Sequence, residues 1–321
     1  MTKFYYNHHK GSFHDISKDT YLWIKNQPYV KEESITDRIV YVLNTDNPFV
    51  KCIEFKRNEE ALNGADWEWW ILLNEYYAKG NKSPKDNIVA YRFRVQAKKL
   101  MVNDSNNYHL FHYSNRNGLQ IELLMERAKE DRAYPLYALY TDCMKTPVKL
   151  FLDQNQNKLY NPCMRCRNGI FLLYASSIYN EYVLGEKKTV RNEMLVEKSI
   201  PASILDCVLS TFHPYYFNFQ STYDYHRAYK HHMTEITQFI RFVEKNTIRL
   251  NDYLHTYDEF PPYLQRIISV DEYKEDLRGR DNNCEHMDSL NYCFFEEYKK
   301  YIPDALSGVG VIDLRNKNRL E

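Results

Sequence analysis

Apolar and polar side chains alternate along residues 91–98. Tyr91, Phe93, Val95 and Ala97 fall on one side, and Arg92, Arg94, Gln96 and Lys98 on the other. A two-residue period with one apolar set predicts a strand with one face against a core. Trp67 and Trp69 alternate with Asp66 and Glu68 in the same way. Phe49 to Lys56 predicts an earlier strand, and the apolar run Tyr134 to Tyr140 a later one. Two stretches carry the helical period instead. Ile35, Ile39, Val42 and Leu43 form a stripe within Glu32 to Leu43, as do Ile121, Leu124, Met125 and Ala128 within Gly118 to Lys129. Residues 31–141 therefore predict the order α-β-β-β-α-β, an α/β fold.

The pattern is weaker elsewhere. Residues 1–30 read as an aromatic and polar lead-in with a short helix near Trp23 and Ile24. Residues 76–87, with Gly80, Ser83 and Pro84, read as a polar turn, and the Asn-rich residues 101–117 as a loop. After residue 141, Ile170 to Tyr174 is an apolar stretch. Met233, Ile236, Phe239, Ile240, Val243, Ile248 and Leu250 predict a long helix over 230–256, closed by Pro261-Pro262. Val309 to Leu314 predicts a late buried strand. Repeats and Gly/Ser linkers are absent from the sequence, so the second half is expected to pack on the first.

Composition narrows the class. The 321 residues are 44% hydrophobic and 15% aromatic, which excludes a disordered chain, and they include 29 Tyr. Lys+Arg and Asp+Glu each number 43. With a net charge of zero, attraction to nucleic acid would need a local patch. The start, Met1 to His9, lacks the apolar core of a signal peptide, and no apolar run reaches membrane-spanning length. Seven Cys without a secretion signal predict reduced thiols and a cytoplasmic protein.

Two strands that present a carboxylate, an amide and an ammonium on one surface suit a divalent cation beside a phosphate. Asp66, followed by Gln96-Ala97-Lys98 on a later strand, resembles the PD-(D/E)XK nuclease superfamily and its Mrr-like variant with Gln in place of the acid. The combination of Gly64-Ala65-Asp66-Trp67 with Gln96-Ala97-Lys98 is also similar to an uncharacterised bacterial group. The Pro of the superfamily name is absent, since Ala65 precedes Asp66. The resemblance implies a restriction-endonuclease-like core with a mixed sheet, Mg²⁺ or Mn²⁺ as cofactor, and phosphodiester hydrolysis. Asp66, Gln96, Lys98 and a helix acid, Glu33, would be catalytic, with Asp66 and Glu33 holding the metal. Glu33 has an alternative role as an acid favoured by a helix dipole. Arg94 and Gln120 are candidate substrate contacts. The implied partner is nucleic acid, DNA before RNA, with no membrane and with a homodimer as the assembly to test. Restriction of foreign DNA, including phage defence, is the implied setting. The implied division is a nuclease-like core with its lead-in over 1–145, and a mixed, partly helical region over 146–321.

Other groups compete for attention. Cys163 and Cys166 would be half a zinc site, with Cys284, His286 or Cys293 as partners, although one Cys-x-x-Cys carries little weight. His213, His231 and His232 read better as ordinary surface or core residues. Trp67, Trp69 and Trp70 could stack bases, but read better as core. The basic set Lys85, Arg92, Arg94, Lys98 and Lys99 places several charges on the expected site face. The rival to a nuclease is a catalytically inactive module of the same fold that binds nucleic acid or a protein. A regulatory second half is a third reading without a motif behind it.

Overall fold

The structure is a computed structural model that describes residues 11–47, 49–54, 65–74, 88–101, 106–143, 168–185, 187–206, 253–269, 308–313 and 315. It is α/β with a mixed sheet. Helices α1 (Phe13–Asn26) and α2 (Glu32–Asp46) come first, then strands β1 (Val50–Glu54), β2 (Trp67–Asn74) and β3 (Ile88–Lys99). A short helix α3 (Tyr108–Phe111) and a small hairpin, β4 (Ser114–Asn115) with β5 (Gly118–Leu119), lead into α4 (Gln120–Glu130) and β6 (Tyr134–Tyr140). Strand β7 (Ile170–Tyr174) runs into helix α5 (Ala175–Ile178), and α6 (Asn192–Glu197) into β8 (Ile200–Pro201). Then come β9 (Leu254–Thr256), a helix α7 over residues 262–269, and β10 (Gly308–Asp313).

The sheet order is β1-β10-β2-β3-β6-β7-β8. β3 is its longest strand. It pairs antiparallel with β2 along one edge, and on the other edge meets β9 antiparallel and then β6 parallel. Helices α1 and α2 cover one face through Ile16, Ile24, Ile35, Val40 and Leu43. On the other face lie α4, α5, α6 and α7, through residues such as Ile121, Leu124, Ile178, Leu195 and Leu264. With a helix layer on each side, both faces of β3 are buried from Ile88 to Ala97. The sequence pattern indicated only one buried face.

The last strand departs most from expectation. β10 lies between β1 and β2, parallel to β2 and antiparallel to β1. Strands from both sides of residue 145 therefore share one sheet. The insertion depends on Gly308 and Gly310, which stand opposite Trp67 and Trp69. A Cβ on either glycine would come within 2.4–2.5 Å of an indole ring. Trp67 and Trp70 are buried and Trp69 is half-buried, packed against this core.

Smaller differences have local causes. Gly118 adopts φ +127 and belongs to the hairpin, so the second core helix starts at Gln120. The stretch 101–117 contains α3. Leu254–Thr256 is strand rather than the end of a long helix. The rest of that expected helix (230–252), the 76–87 turn with Lys85, and Cys163, Cys166, His213, His231, His232, Cys284, His286 and Cys293 lie outside the described residues. Cys52 and Cys143 are not joined in disulfides. Among the described residues no helix is long and apolar enough to cross a membrane.

Candidate active site

Asp66 stands immediately before β2, opposite Gln96. Its N–H donates to the Val95 carbonyl at 3.0 Å, which extends the β2–β3 ladder by one residue. Past this point β3 continues without β2 beside it, so its next N–H groups on that edge need other acceptors. Two carboxylates supply them. Asp66 Oδ2 accepts from the Ala97 N–H at 2.8 Å, and Glu32 Oε2 accepts from the Lys99 N–H at 2.5 Å. The two capped amides are two residues apart, about 7 Å along a strand. Asp66 and Glu32 therefore stand side by side at one end of the sheet.

Helix phase selects Glu32. It lies three residues before the buried Ile35, on the helix face turned to the sheet. Glu33, the helix acid expected from the sequence, is one step around, exposed, and away from this cluster. Of the two, Glu32 is the acid that the structure brings to the end of β3.

Gln96 fills the space between Asp66 and α4. It is 2% exposed. Its amide nitrogen donates to Asp66 Oδ2 at 2.6 Å and to the Ala97 carbonyl at 3.2 Å. Its oxygen accepts from Gln120 Nε2 at 2.9 Å. Gln120 is the first residue of α4, and its own Oε1 is buried without a hydrogen-bond partner. Gln120 thus touches Gln96, a contact the sequence did not indicate.

Strand alternation places Lys98 on the same face as Gln96 and Asp66. It is half-buried, and among the described residues it forms no ion pair or hydrogen bond. Lys99 points to the opposite face, where its ammonium donates to the Pro28 carbonyl. Burial lowers the Lys99 pKa, against the opposing fields of Asp142 and Glu32. Tyr137 and Tyr140 flank the site from β6. Burial holds both phenols above their ordinary range, reinforced at Tyr137 by the Asp66 carboxylate and at Tyr140 by Glu32 and then Asp66 against the Thr36 hydrogen bond, so neither ionises near neutrality.

Arg94 has a different role from the substrate contact expected of it. Its guanidinium is 7% exposed and binds Asp131, just past α4, with Nε to Oδ2 at 2.8 Å. Arg92 bridges Asp131 at 3.2 Å and the fully buried Glu68 at 2.7 Å, and lies over the Trp70 ring. Glu68 also accepts from Trp70 Nε1 at 2.7 Å and from the Tyr263 hydroxyl. Glu68, Asp131, Arg92 and Arg94 balance in charge and tie β3 to α4 and α7. Arg94 is buried in this network, with its Nη1 left without a hydrogen-bond partner.

Among the described residues no group of three or more His, Cys, Asp and Glu could hold a metal. Mg²⁺ does not require one. It keeps several waters and is held by one or two carboxylates together with substrate phosphates. The Gln96 amide nitrogen is bonded to two oxygens, Asp66 Oδ2 and Ala97 O. The Asp66 carboxylate and the Ala97 carbonyl are oxygen donors of the kind a hard cation takes, while the Gln96 side-chain oxygen faces Gln120, away from them.

One family model matches residues 10–292, most of the chain. The chain belongs to that family, DUF6615, a family of unknown function. No curated protein and no solved structure matches it. The matched region crosses residue 145 and stops short of β10. Membership assigns no chemistry, which leaves the geometry as the guide.

Proposed function

We propose that this protein is a metal-dependent nuclease that hydrolyses phosphodiester bonds, DNA before RNA. The observation that carries the reading is the Lys98 ammonium, unpaired among the described residues, on the face that holds Asp66 and Gln96. It lies one residue past the main-chain amide that Asp66 caps. Asp66 would hold Mg²⁺ or Mn²⁺ with neutral oxygens from Gln96 and Ala97, and Glu32 is the helix acid best placed to assist. When bound, such an ion supplies Lewis acidity and lowers the pKa of a water. Lys98 would orient the attacking water or stabilise the charge that builds on the phosphorane. The order α2-β1-β2-β3-α4-β6 is the order that the superfamily resemblance implies. A cytoplasmic role in restricting foreign or phage DNA belongs to the same proposal.

The second reading is an inactive module. The observation favouring it is the Gln96 amide resting on Asp66, an arrangement complete without a cation. Incubation with plasmid DNA and with structured RNA, in Mg²⁺, Mn²⁺ and EDTA side by side, separates the two. The nuclease reading expects cleavage that EDTA abolishes and Asp66→Asn removes. Binding without cleavage in any metal supports the module, and cleavage that persists in EDTA overturns the assignment of Asp66.

A further inference from the structure

We infer that Gln120 is a positioning residue whose amide holds Gln96 in either of two orientations, and that the exchange between them admits the divalent cation. The inference rests on the nuclease reading, because it concerns the cation of that site.

In the arrangement observed, the Gln96 nitrogen faces Asp66 Oδ2 and the Ala97 carbonyl, while its oxygen faces the Gln120 nitrogen. A cation beside Asp66 needs the reverse, with oxygen toward the metal. An isolated glutamine could turn only by burying its NH₂ against a surface with no acceptor, at a cost of roughly 1–3 kcal/mol for an unsatisfied polar group. Gln120 moves this obstacle away from the cation side, since on turning its own NH₂ takes the buried place that its Oε1 now holds. Its Oε1 is a buried acceptor with no donor. When both amides turn by half a rotation, the Gln96 NH₂ donates to Gln120 Oε1, and the Gln96 oxygen joins the Asp66 carboxylate and the Ala97 carbonyl. The amide–amide hydrogen bond survives with its direction reversed. Only the two bonds from the Gln96 nitrogen to Asp66 and Ala97 are exchanged, for coordination. A carboxylate at 96 would need no such partner, since its two oxygens are equivalent and it has no wrong way round. Gln120 is thus the counterpart of having Gln rather than an acid at position 96.

α4 makes the pairing rigid. Its far end is held to β3 through Asp131 and the guanidinium groups of Arg92 and Arg94, and its first residue is Gln120. The helix therefore lies fixed across the strand, with the Gln120 amide over Gln96.

The test is Mn²⁺ binding by calorimetry on the full chain without nucleic acid, for wild type, Q120M, Q96E and Q96E/Q120M. Loss of an outer partner that orients a ligand commonly costs 10–100-fold in metal affinity. The expected result is a loss of about that size from Q120M in the wild-type background and under about threefold in the Q96E background. Equal losses in the two backgrounds, or none in either, would overturn the relay while leaving the cation site standing. Failure of wild type and Q96E alike to bind Mn²⁺ would overturn the cation reading itself, and the relay with it. If Q120M folds poorly, Q120A enters the same comparison, with folding checked in EDTA by circular dichroism.

Discussion

Substitution of Glu68 by Gln should destabilise the fold severely while leaving every candidate site residue in place. Glu68 is fully buried, and each carboxylate oxygen has work to do. Oε1 accepts from Trp70 and Tyr263, and Oε2 pairs with Arg92 at 2.7 Å, with Arg94 at 3.7 Å. Burial pulls the Arg92 pKa down, but Glu68 leads the fields that more than offset it and keep the guanidinium charged. Burial and the Glu68 charge also keep Tyr263 protonated, as a donor. A glutamine offers one oxygen, so its NH₂ must oppose a donor on one side. It also leaves two buried cations facing Asp131 alone. Removal of one member of a buried ion pair costs about 3–5 kcal/mol, a fifth or more of the typical 5–15 kcal/mol net stability.

Urea denaturation followed by tryptophan fluorescence measures the loss, and should give an unchanged slope with a midpoint lower by about 1 M or more. The double variant Glu68→Gln, Arg92→Met restores charge balance through Arg94 and Asp131. It should lose at least 1 kcal/mol less than the two single changes combined. A Glu68→Gln loss below about 1 kcal/mol would refute the reasoning, since it would mean that water already screens these charges.

Other expectations follow from the same geometry. Lys98→Ala should cut cleavage on the order of a hundredfold or more, with only a modest loss of binding, because the ammonium acts on charge that builds in the transition state. Lys99→Ala should leave cleavage within a few fold and cost roughly 0.5–1.5 kcal/mol of stability through its lost bond to Pro28; equal rate effects at 98 and 99 would contradict the assignment. Gly310→Ala places a Cβ 2.5 Å from the Trp69 ring, so β10 should lose about 1–3 kcal/mol, read as a lower melting temperature. His255 is held below its ordinary pKa, first by burial and then by Arg132 and Arg92, although its bond to the Arg132 carbonyl and the charge of Glu259 oppose this. The unfolded chain then takes up the proton first. Stability is complete above the unfolded value near 6.5 and is lost as pH falls below it. Wild type should lose more midpoint between pH 7.5 and 5.5 than His255→Gln, and parallel losses would count against it.

Periodicity made much of the core legible. The stripe at Ile35 and the alternation along β3 report which side chains leave water, and burial sets their spacing. Asp66 opposite Gln96 follows from two strands in sequence order. What the pattern missed depends on pairing across the chain. Arg92 and Arg94 look like a wet face, because nothing local shows that Asp131 lies 37 residues beyond Arg94, or that Tyr263 meets Glu68 from 195 residues away. β10 has the same origin, though one signal was present. Gly308 and Gly310 repeat at the two-residue period of Trp67 and Trp69, and small against large at one period is how adjacent strands accommodate bulky rings. Helix phase brings Glu32, not Glu33, to the end of β3. Counting three back from Ile35 reaches Glu32.

The two polar groups along β3 place different demands on the fold. Arg92 and Arg94 are buried, matched charge for charge, and needed by any protein that holds α4 against this sheet, whether enzyme or module. Gln96 and Lys98 continue the same face; the Gln96 amide is bonded at both ends, and the unpartnered atom beside it belongs to Gln120. The relay ends in an acceptor without a donor at Gln120, and the Lys98 ammonium has no counter-charge among the described residues. Unsatisfied buried polar atoms cost stability and persist where something else requires them. A scaffold that served only to hold its shape could replace Lys98 with a neutral residue without losing an ion pair among the described residues. An apolar residue at 120, by contrast, would leave the buried Gln96 oxygen without its donor. The ion network explains why α4 stays in place, and its first residue, like Arg92 and Arg94 within that network, keeps one buried polar atom without a hydrogen-bond partner.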